Sequence, residues 1–300
     1  MTTSPAAPPA PDPDLDRPQD DPTLWEVDDL LWAELEPILI IDKPRTKPGR
    51  PRRANRPMFD GLIWLARTGS QWSQLPCRFG PKSTVHLRFT EWVETGALER
   101  AWAVLLRDYD AEVGLDWEWL AADGCIVQAP FGKKRGPGEA AATGANPTDR
   151  GKPGAKRHLL TEGMGIPIAV LVTGANRHDM KKLAALLEAT VIAPAPVDEP
   201  HLVLDRGYDY PSCRTAAVTR GYTPHIPPKA SAATPLPPPG DRNRHPPRRW
   251  VVEVAHSWFN RFRRVLTRWE KRADCYLGFV QLAACLIIYR KLRHARRLSG

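Results

Sequence analysis

The sequence predicts an α/β fold, in which a mixed sheet flanked by helices follows a small all-helical unit. Three observations lead to this prediction. Apolar residues recur at helical spacing between residues 28 and 106, strand-like runs occupy 117–172, and the run 201–204 precedes a helical pattern. The order strand, hairpin, helix, strand, helix is typical of a mixed sheet with helices on its faces.

The composition indicates a basic, folded protein. The chain has 300 residues, of which 42% are hydrophobic, enough to form substantial cores. Residues 1–22 contain five Asp and one Arg, a balance of −4, so the rest of the chain carries +13 of the formal net charge of +9. This excess favours a polyanionic partner such as nucleic acid, and ordinary solubilising charge is the alternative.

Other classes of protein are disfavoured. The five cysteines are scattered without a CxxC pair, so neither a zinc site nor a disulfide framework is expected. Residues 1–22 are rich in Pro and Asp, which predicts a disordered tail rather than a signal peptide. The apolar run 277–289 is shorter than the ~20 residues of a membrane span and contains Gln281, so it predicts a buried helix. We expect a cytoplasmic protein with no membrane partner.

Four helices are predicted in a first domain at 23–110. Asp28 and Asn55 are placed to cap the first two helices, Ser83 opens the third, and the fourth begins near Ala97. Short helices joined by tight turns are compatible with a helix-turn-helix DNA-binding domain. Helical bundles without DNA-binding function are equally compatible with this pattern.

A basic linker separates the first two of these helices. It contains Arg50, Arg52 and Arg53, and arginines in a flat Gly-Arg-Pro segment can enter the minor groove of A·T-rich DNA. We therefore expect DNA contacts from these three residues, and a solvated linker explains the composition nearly as well.

The second predicted domain spans 115–290 and is followed by a basic tail at 291–300. The turn TEGMG predicts an antiparallel hairpin, and either His178 or Asp179 is expected to cap the next helix. The strands are predicted at 117–127, 156–160, 166–172 and up to Asp205.

A Pro-rich connector at 224–247 shows no strand or helix pattern. After it, apolar residues three or four apart predict one long helix whose other faces are rich in arginine. The expected buried stripe consists of Val251, Val254, Trp258, Phe262 and Val265.

Three acids stand among apolar neighbours in this second domain. Asp123 lies inside the first strand, Asp205 lies at a strand tip before the turn at Gly207, and Glu253 lies on the first turns of the long helix. A buried carboxylate is costly unless it is paired, hydrogen-bonded or bound to metal. If the three carboxylates converge, they are suitable ligands for Mg²⁺, because hard cations prefer oxygen donors.

Each acid also has a simpler interpretation. Asp123 could belong to an Asp-Gly turn, and Asp205 could cap its turn or pair with Arg206. Glu253 could be a surface residue paired with Arg249. Each interpretation is plausible alone, and the combination of all three is less so.

The ordered segments LAADGCIV, LVLDRGYDY and RRWVVE resemble the DDE-type insertion-sequence transposases, which have a ribonuclease H-like catalytic core. The segment GRPRRANRPMFDGLIWLARTGSQWSQLP is similar to the helical domain that precedes this core in one bacterial subgroup. The resemblance extends from about residue 24 to 290. It implies that Asp123, Asp205 and Glu253 are catalytic and bind two Mg²⁺ ions, for which Mn²⁺ can substitute.

The resemblance implies a DNA transposase that cleaves and joins phosphodiester bonds at insertion-sequence ends. Its partners would be double-stranded DNA, as terminal inverted repeats and target, and further copies of itself. Arg249 matches the arginine of a related Tyr-Arg-Glu-Lys signature, whereas Pro246 and Asn260 stand where the tyrosine and lysine would be. A catalytically inactive DNA-binding remnant is the alternative, and a nuclease with another role is a third hypothesis.

The charge near the third acid supports DNA as the substrate. Residues 242–272 contain ten Lys or Arg against two Glu, a local balance of +8. Arg249, Arg261 and Arg264 are therefore expected to contact phosphates, which positions a duplex without reading its sequence.

Overall fold

A computed structural model describes residues 24–41, 51–132, 142–229 and 249–299. The predicted tail at 1–22 and Arg50 lie outside the described residues. The helices in the described ranges are α1 (Asp29–Leu39), α2 (Asn55–Thr68), α3 (Lys82–Glu94), α4 (Ala97–Glu112), α5 (Leu183–Glu188), α6 (Pro211–Val218), α7 (Trp250–Asn260), α8 (Arg263–Leu266) and α9 (Ala273–Ser299). The strands are β1 (Trp119–Gln128), β2 (Gly144–Ala145), β3 (Pro153–Thr161), β4 (Pro167–Gly174), β5 (His201–Val203) and β6 (Thr223–His225).

The strands form one mixed sheet. β1 and β3 pair antiparallel, as do β3 and β4, whereas β5 is parallel to β1 and β6 is parallel to β5. The long path of the sheet therefore runs β4, β3, β1, β5, β6, and the short β2 joins β3 beside β4. The helices α5 and α6 lie in the connections that lead to the two parallel strands. This order is the ribonuclease H-like arrangement, and it confirms the predicted fold class.

The edge strand β6 was not predicted. It contains Pro224, which the sequence places at the start of a connector, but its register with β5 pairs Leu202 with this proline. A proline cannot donate a ladder hydrogen bond and is confined to edge strands, which is where β6 lies.

The predicted long helix after residue 249 is interrupted. α7 ends at Asn260, and Phe262 has φ −95° and ψ 101°, an extended backbone that separates α7 from α8. The predicted stripe is also partly wrong, because Val254 and Trp258 are only partly buried. The face of α7 that is buried consists of Val251, Val252, Ala255, His256 and Phe259.

Polar side chains join the first three helices. Asp28 caps α1 as predicted, since its Oδ1 accepts a hydrogen bond of 2.9 Å from the N–H of Leu31. Asn55 does not cap α2; its Nδ2 instead donates to the carbonyl oxygen of Leu39 at the end of α1, 3.0 Å away. The indole Nε1 of Trp92 on α3 donates to the same carbonyl oxygen at 2.9 Å. The end of α1 is therefore held by both α2 and α3.

α9 lies at the centre of the molecule. It packs along α4 and also contacts α3, α7, α8 and β4. By length and composition it could cross a membrane, but 83% of its most apolar window is buried inside the protein. The prediction of a buried helix at 277–289 is confirmed, and residues 291–299, expected as a basic tail, are the last turns of this helix.

The hydrophobic core continues from the first four helices into the sheet. Buried residues of α1 to α4, β1, β3, β4 and α9 belong to a single cluster. The division into a helical domain at 23–110 and a catalytic domain at 115–290 stays a prediction, as does DNA binding by the helices.

Gly278 tests the packing of α9 on α3. A Cβ at this position would lie 2.6 Å from Cγ2 of Val93 and 3.2 Å from the ring of Phe89, so an added methyl group would force a shift. We expect Gly278→Ala to lower the free energy of unfolding by about 1–3 kcal/mol through overpacking, although alanine is the better helix former. Urea denaturation measures this change. His294→Ala, at an exposed position of α9, should be nearly neutral, and a fully stable Gly278→Ala protein would contradict the packing described.

Candidate active site

The structure brings two of the three predicted acids together. Asp123 lies on the central strand β1, and the parallel strand β5 pairs Ala121 with Val203. Extending this register by two residues places Asp205 level with Asp123. Paired positions of neighbouring strands direct their side chains to the same face of a sheet, so both carboxylates lie on one face.

The pKa of Asp123 reflects this neighbourhood. Burial is the main cause that raises it to about 6, the negative charges of Asp205 and Asp179 add to this rise, and the N–H of Gly124 opposes it by donating a hydrogen bond of 2.8 Å to Oδ1. The positive charge of Arg249 acts in the opposite direction. The two carboxylates therefore repel each other when ionised, and a cation bound between them would relieve this repulsion.

The turn after Asp205 has the predicted form and presents a further polar group. Asp205 begins a 3-10 turn (Arg206–Tyr208), in which a Cβ at Gly207 would lie only 2.8 Å from Oδ1 of Asp205. The hydroxyl of Tyr208 is buried without a hydrogen-bond partner, and burial raises its pKa well above the usual value, assisted by the charges of Asp179, Asp123 and Asp205. Sequence reasoning did not single out Tyr208.

Glu253 stands apart from the two aspartates in the ion pair that the sequence offered as an alternative. It lies in the first turn of α7, and its Oε1 is 2.8 Å from Nη2 of Arg249; both side chains are about half exposed. The positive charge of Arg249 also lowers the pKa of Asp123, so this arginine interacts with both Glu253 and Asp123. Among the residues that the structure describes, no three His, Cys, Asp or Glu side chains are arranged to hold a metal ion. The metal-binding triad therefore stays a prediction.

A buried arginine fixes α7 against the sheet. Nη2 of Arg157, on β3, donates to Nδ1 of His256 at 3.2 Å and to Oδ1 of Asn260 at 3.3 Å. Its guanidinium carbon lies 4.9 Å from the ring centre of Phe259. Burial lowers the pKa of His256 to about 3, and the charge of Arg157 contributes, so the imidazole is neutral. These contacts set the position of α7 and of Glu253 on its first turn.

A second polar network lies against β1 beside Asp123. Asp179 was expected to be a possible helix cap, but its Oδ2 lies 2.9 Å from Nζ of Lys156 and its Oδ1 lies 3.1 Å from Nδ1 of His158. The other ring nitrogen of His158 lies 2.9 Å from the hydroxyl of Thr173. Burial opposes ionisation of Asp179, but the hydrogen bonds from His158 and Lys156 hold its pKa below the usual value.

Gly124 makes room for this network. A Cβ at Gly124 would lie 2.0 Å from Oδ1 of Asp179, so a larger residue would expel that carboxylate. The only sequence signal of the network was that Lys156 and His158 alternate along β3 and so share one face; the pairing of His158 with Gly124 is visible only in the structure. Asp179 therefore packs against β1 at Gly124, the residue next to Asp123.

The predicted DNA-binding arginines have different environments. Arg53 and Arg261 are exposed, and Arg249 is half exposed in its pair with Glu253. Arg52 is ion-paired with Glu91 and donates to the carbonyl oxygen of Ile41 at 3.2 Å, so it fastens the linker to the helical unit.

Arg264 is a correction, because it is only 2% exposed. Its Nε donates to Oε1 of Glu270 at 2.8 Å, and its guanidinium lies 5.2 Å from the ring centre of Trp72 and 5.0 Å from that of Phe279. The extended backbone at Phe262 changes the direction of the chain, so Arg264 joins α8 to α9 and is not placed to contact phosphates.

Two family models match the chain. A model for transposases of the IS4/5 family matches residues 27–102, and one described as the transposase DDE domain matches residues 119–288. The second match covers more than half of the chain.

Curated relatives are similar to parts of the chain. The chain is 39% identical over 164 residues, 51% of its length and 71% of the relative's, to a transposase assigned to insertion sequence element IS402 of Burkholderia cepacia. It is 33% identical over 107 residues, 34% of its length and 73% of the relative's, to an uncharacterized 16.2 kDa protein of that element. It is also 42% identical over 79 residues to the uncharacterized protein y4sN of Sinorhizobium fredii, covering 26% of this chain and 58% of that protein.

Among solved structures, a Mos1 transposase paired-end complex with left transposon end resembles this chain at 13% identity and a TM-score of 0.25. The likeness covers 76% of this chain and 83% of the other. A Mos1 mariner paired-end complex with Mn has 14% identity and a TM-score of 0.27, over 75% and 81% of the two chains. The sheet order identifies the fold independently of these low scores.

The burial of Arg264 can be tested through its partner. Glu270→Gln would leave the guanidinium without a carboxylate in the core, and we expect the free energy of unfolding to fall by about 3 kcal/mol. Asp274→Asn breaks an exposed pair with Arg272 and should lower it by less than about 1 kcal/mol. Chemical denaturation of both variants distinguishes the two positions. Equal effects would contradict the buried position of Arg264.

The pKa of Asp123 predicts how stability depends on pH. Its value of about 6 in the folded chain lies above the unfolded value of about 3.9. The ionised carboxylate therefore destabilises the fold above about pH 6, and this penalty is absent below about pH 4. We expect Asp123→Asn to raise the melting temperature by a few degrees at about pH 8 and to leave it unchanged at about pH 4.

The control for this measurement is Asp198→Asn, a substitution at an exposed loop position. It should change the melting temperature at neither pH. A melting temperature of Asp123→Asn that is lower than that of the wild type at about pH 8 would contradict the repulsion between the acids.

Proposed function

We propose a function from the premise that this chain belongs to the DDE transposase family. The chain is a transposase that cleaves phosphodiester bonds at the ends of an insertion sequence and joins the freed ends to target DNA. The observation that carries the proposal is the register of β1 and β5, which sets Asp123 and Asp205 side by side with Arg249 nearby. Double-stranded DNA is the proposed partner, and we propose that the protein acts as a homo-oligomer in the cytoplasm.

The acidic residues fit a divalent cation such as Mg²⁺ or Mn²⁺. Asp123 and Asp205 supply oxygen donors that repel each other without a cation, and Glu253 would complete the set on leaving Arg249. When bound, two such ions supply activation of the attacking oxygen and stabilisation of the leaving oxygen. Asp123 lies on β1 and Glu253 on α7, and Asp205 lies between the end of β5 and the following 3-10 turn, so the backbone near each acid is ordered before DNA binds.

Arg249 links DNA binding to the release of Glu253. Its guanidinium now pairs with that carboxylate, and a phosphodiester is an alternative partner for the same planar donors. A DNA phosphate that takes over Arg249 would free Glu253 to turn toward the aspartates. In this proposal Arg249 both positions the DNA and keeps the third acid neutralised until DNA is present.

Tyr208 offers a hydrogen-bond donor near Asp123 and Asp205. Its raised pKa keeps the hydroxyl protonated at neutral pH, and the hydroxyl has no partner within the described part of the chain. We propose that it donates a hydrogen bond to a carboxylate oxygen or to the bound phosphate. The exposed Arg53 and Arg261 are the proposed contacts to the DNA backbone farther away.

A catalytically inactive DNA-binding remnant is the second candidate. The ion pair of Glu253 with Arg249 favours it, as does the lack of a three-residue metal cluster in the described ranges. Such a protein would bind DNA in a salt-sensitive manner without cutting it.

DNA cleavage tests the two candidates. With a supercoiled plasmid that carries the element ends, and with Mg²⁺, we expect nicking and joining that EDTA abolishes. Asp123→Asn and Asp205→Asn should each lower the rate by at least about 10³-fold. When catalytic residues act as one unit, the loss of any one of them removes most of the activity.

Asp198→Asn is the matched control, since it removes an exposed carboxylate without touching the site. It should retain the full rate. Undiminished cleavage by Asp123→Asn would refute the catalytic proposal, whereas DNA binding without any nicking by the wild-type protein would favour the remnant.

A further inference from the structure

Four cationic side chains from three parts of the chain meet at the C-terminal end of α7. Arg67 lies in the last turn of α2, Arg261 follows α7 directly, and Arg290 and Lys291 are consecutive residues of α9. Arg67 and Lys291 both lie within electrostatic range of Arg261 and Arg290. We refer to these four residues as the cation cluster.

Aromatic rings hold two members of the cation cluster in place. The guanidinium carbon of Arg67 lies 4.1 Å from the ring centre of Phe262, and Nζ of Lys291 lies 4.4 Å from that of Trp258. An aromatic face attracts a cation but leaves its full positive charge. The rings therefore orient these side chains without neutralising them.

Ion pairs with carboxylates do not neutralise the cation cluster in the described part of the chain. None of its four members forms an ion pair with a carboxylate there, and Nε of Arg67 is buried without a hydrogen-bond partner. Exposed arginines next to and within α9 differ: Arg272 pairs with Glu94, and Arg296 pairs with Glu112.

The lowered pKa values of Arg67 and Lys291 reflect repulsion between the members of the cation cluster. Burial, together with the smaller effect of the charges of Arg290 and Arg261, lowers the pKa of Arg67 to about 10. Burial and the same two charges lower the pKa of Lys291, and Glu162 offsets this only in part. The fold thus gathers like charges at a loss of stability, a pattern that is typical of functional sites.

We propose that the cation cluster binds backbone phosphates of DNA at a site separate from Asp123 and Asp205. The proposal rests on the proposed function, because it takes DNA as the partner. Arg261 lies eight residues after Glu253, which corresponds to about 12 Å along a helix. For a duplex parallel to α7, this distance separates the phosphates contacted by Arg261 from the position of Glu253 by about three to four base pairs.

The test is the salt dependence of DNA binding. Each phosphate contact adds about −0.9 to the slope of log K against log salt concentration. With a fluorescent duplex of arbitrary sequence, the double variant Arg261→Gln/Arg290→Gln should lose about two units of slope and bind at least about tenfold more weakly at low salt.

The control double variant is Arg272→Gln/Arg296→Gln, which removes the same charge from arginines that already have acidic partners. Its slope should stay close to that of the wild type. If the cluster variant keeps the wild-type slope, this inference and the proposed Arg261 contact are overturned, whereas the proposed cleavage activity is untouched. If the wild-type protein binds no DNA, the proposed function itself fails.

The melting temperature without DNA distinguishes the proposed role from a purely structural one, because the two roles predict changes in opposite directions. Neutralising two members of the cation cluster relieves repulsion, so the cluster variant should melt at the same temperature as the wild type or a few degrees higher. A lower melting temperature would indicate a structural role and would contradict the proposal. Competition with inorganic phosphate at constant ionic strength should leave most DNA bound, and complete displacement would show a site for free phosphate instead.

Discussion

The burial of α9 is the constraint on which the arrangement of the other elements depends. Its apolar segment contacts α4 and α3 together with α7, α8 and β4. Tyr276, Phe279 and Ile288 are fully buried there, and removal of such side chains from water is the main favourable term in folding. Because α7 packs on both α9 and β3, the placement of Glu253 and Arg249 relative to the sheet follows from this core.

Charged and polar groups inside the protein add specificity to that core. Arg157 meets neutral partners on α7, whereas Arg264 meets the carboxylate of Glu270 beside α9. A buried arginine allows few alternative packings, because each displaced hydrogen bond would leave a charged group unsatisfied. These interactions therefore specify one position for α7 and α8. The Asp179 network does the same for β1 from its other side.

The sequence alone predicted most elements whose signals are local, although the cap expected at Asn55 was not found. The cap at Asp28, the three long strands and the turn after Asp205 all depend on neighbouring residues, and all were found. β6 and the break at Phe262 were missed, since each depends on contacts with distant parts of the chain. Arg264 was misassigned for the same reason: composition identifies a basic segment, but only packing decides which arginines face inward.

The candidate site likewise contains features that local sequence patterns predict and features that depend on packing. The side-by-side placement of the two aspartates followed from strand positions, which a sequence pattern can reveal. The roles of Tyr208 and Asp179 could not be predicted in this way, because they come from a turn and a loop whose side-chain directions are set by packing. The third acid was located on the right helix, but its ion pair with Arg249 was only one of two interpretations.

The central position of α9 also has a consequence for the synthesis of the protein. About 190 residues separate the end of α4 from the end of α9, and ribosomes add roughly 5–20 residues per second. For about 10–40 s the apolar face of α4 emerges from the ribosome without the helix that will cover it. Until α9 is synthesised, α1 and α3 are the available packing partners of α4, and the part of its apolar face that α9 covers stays exposed.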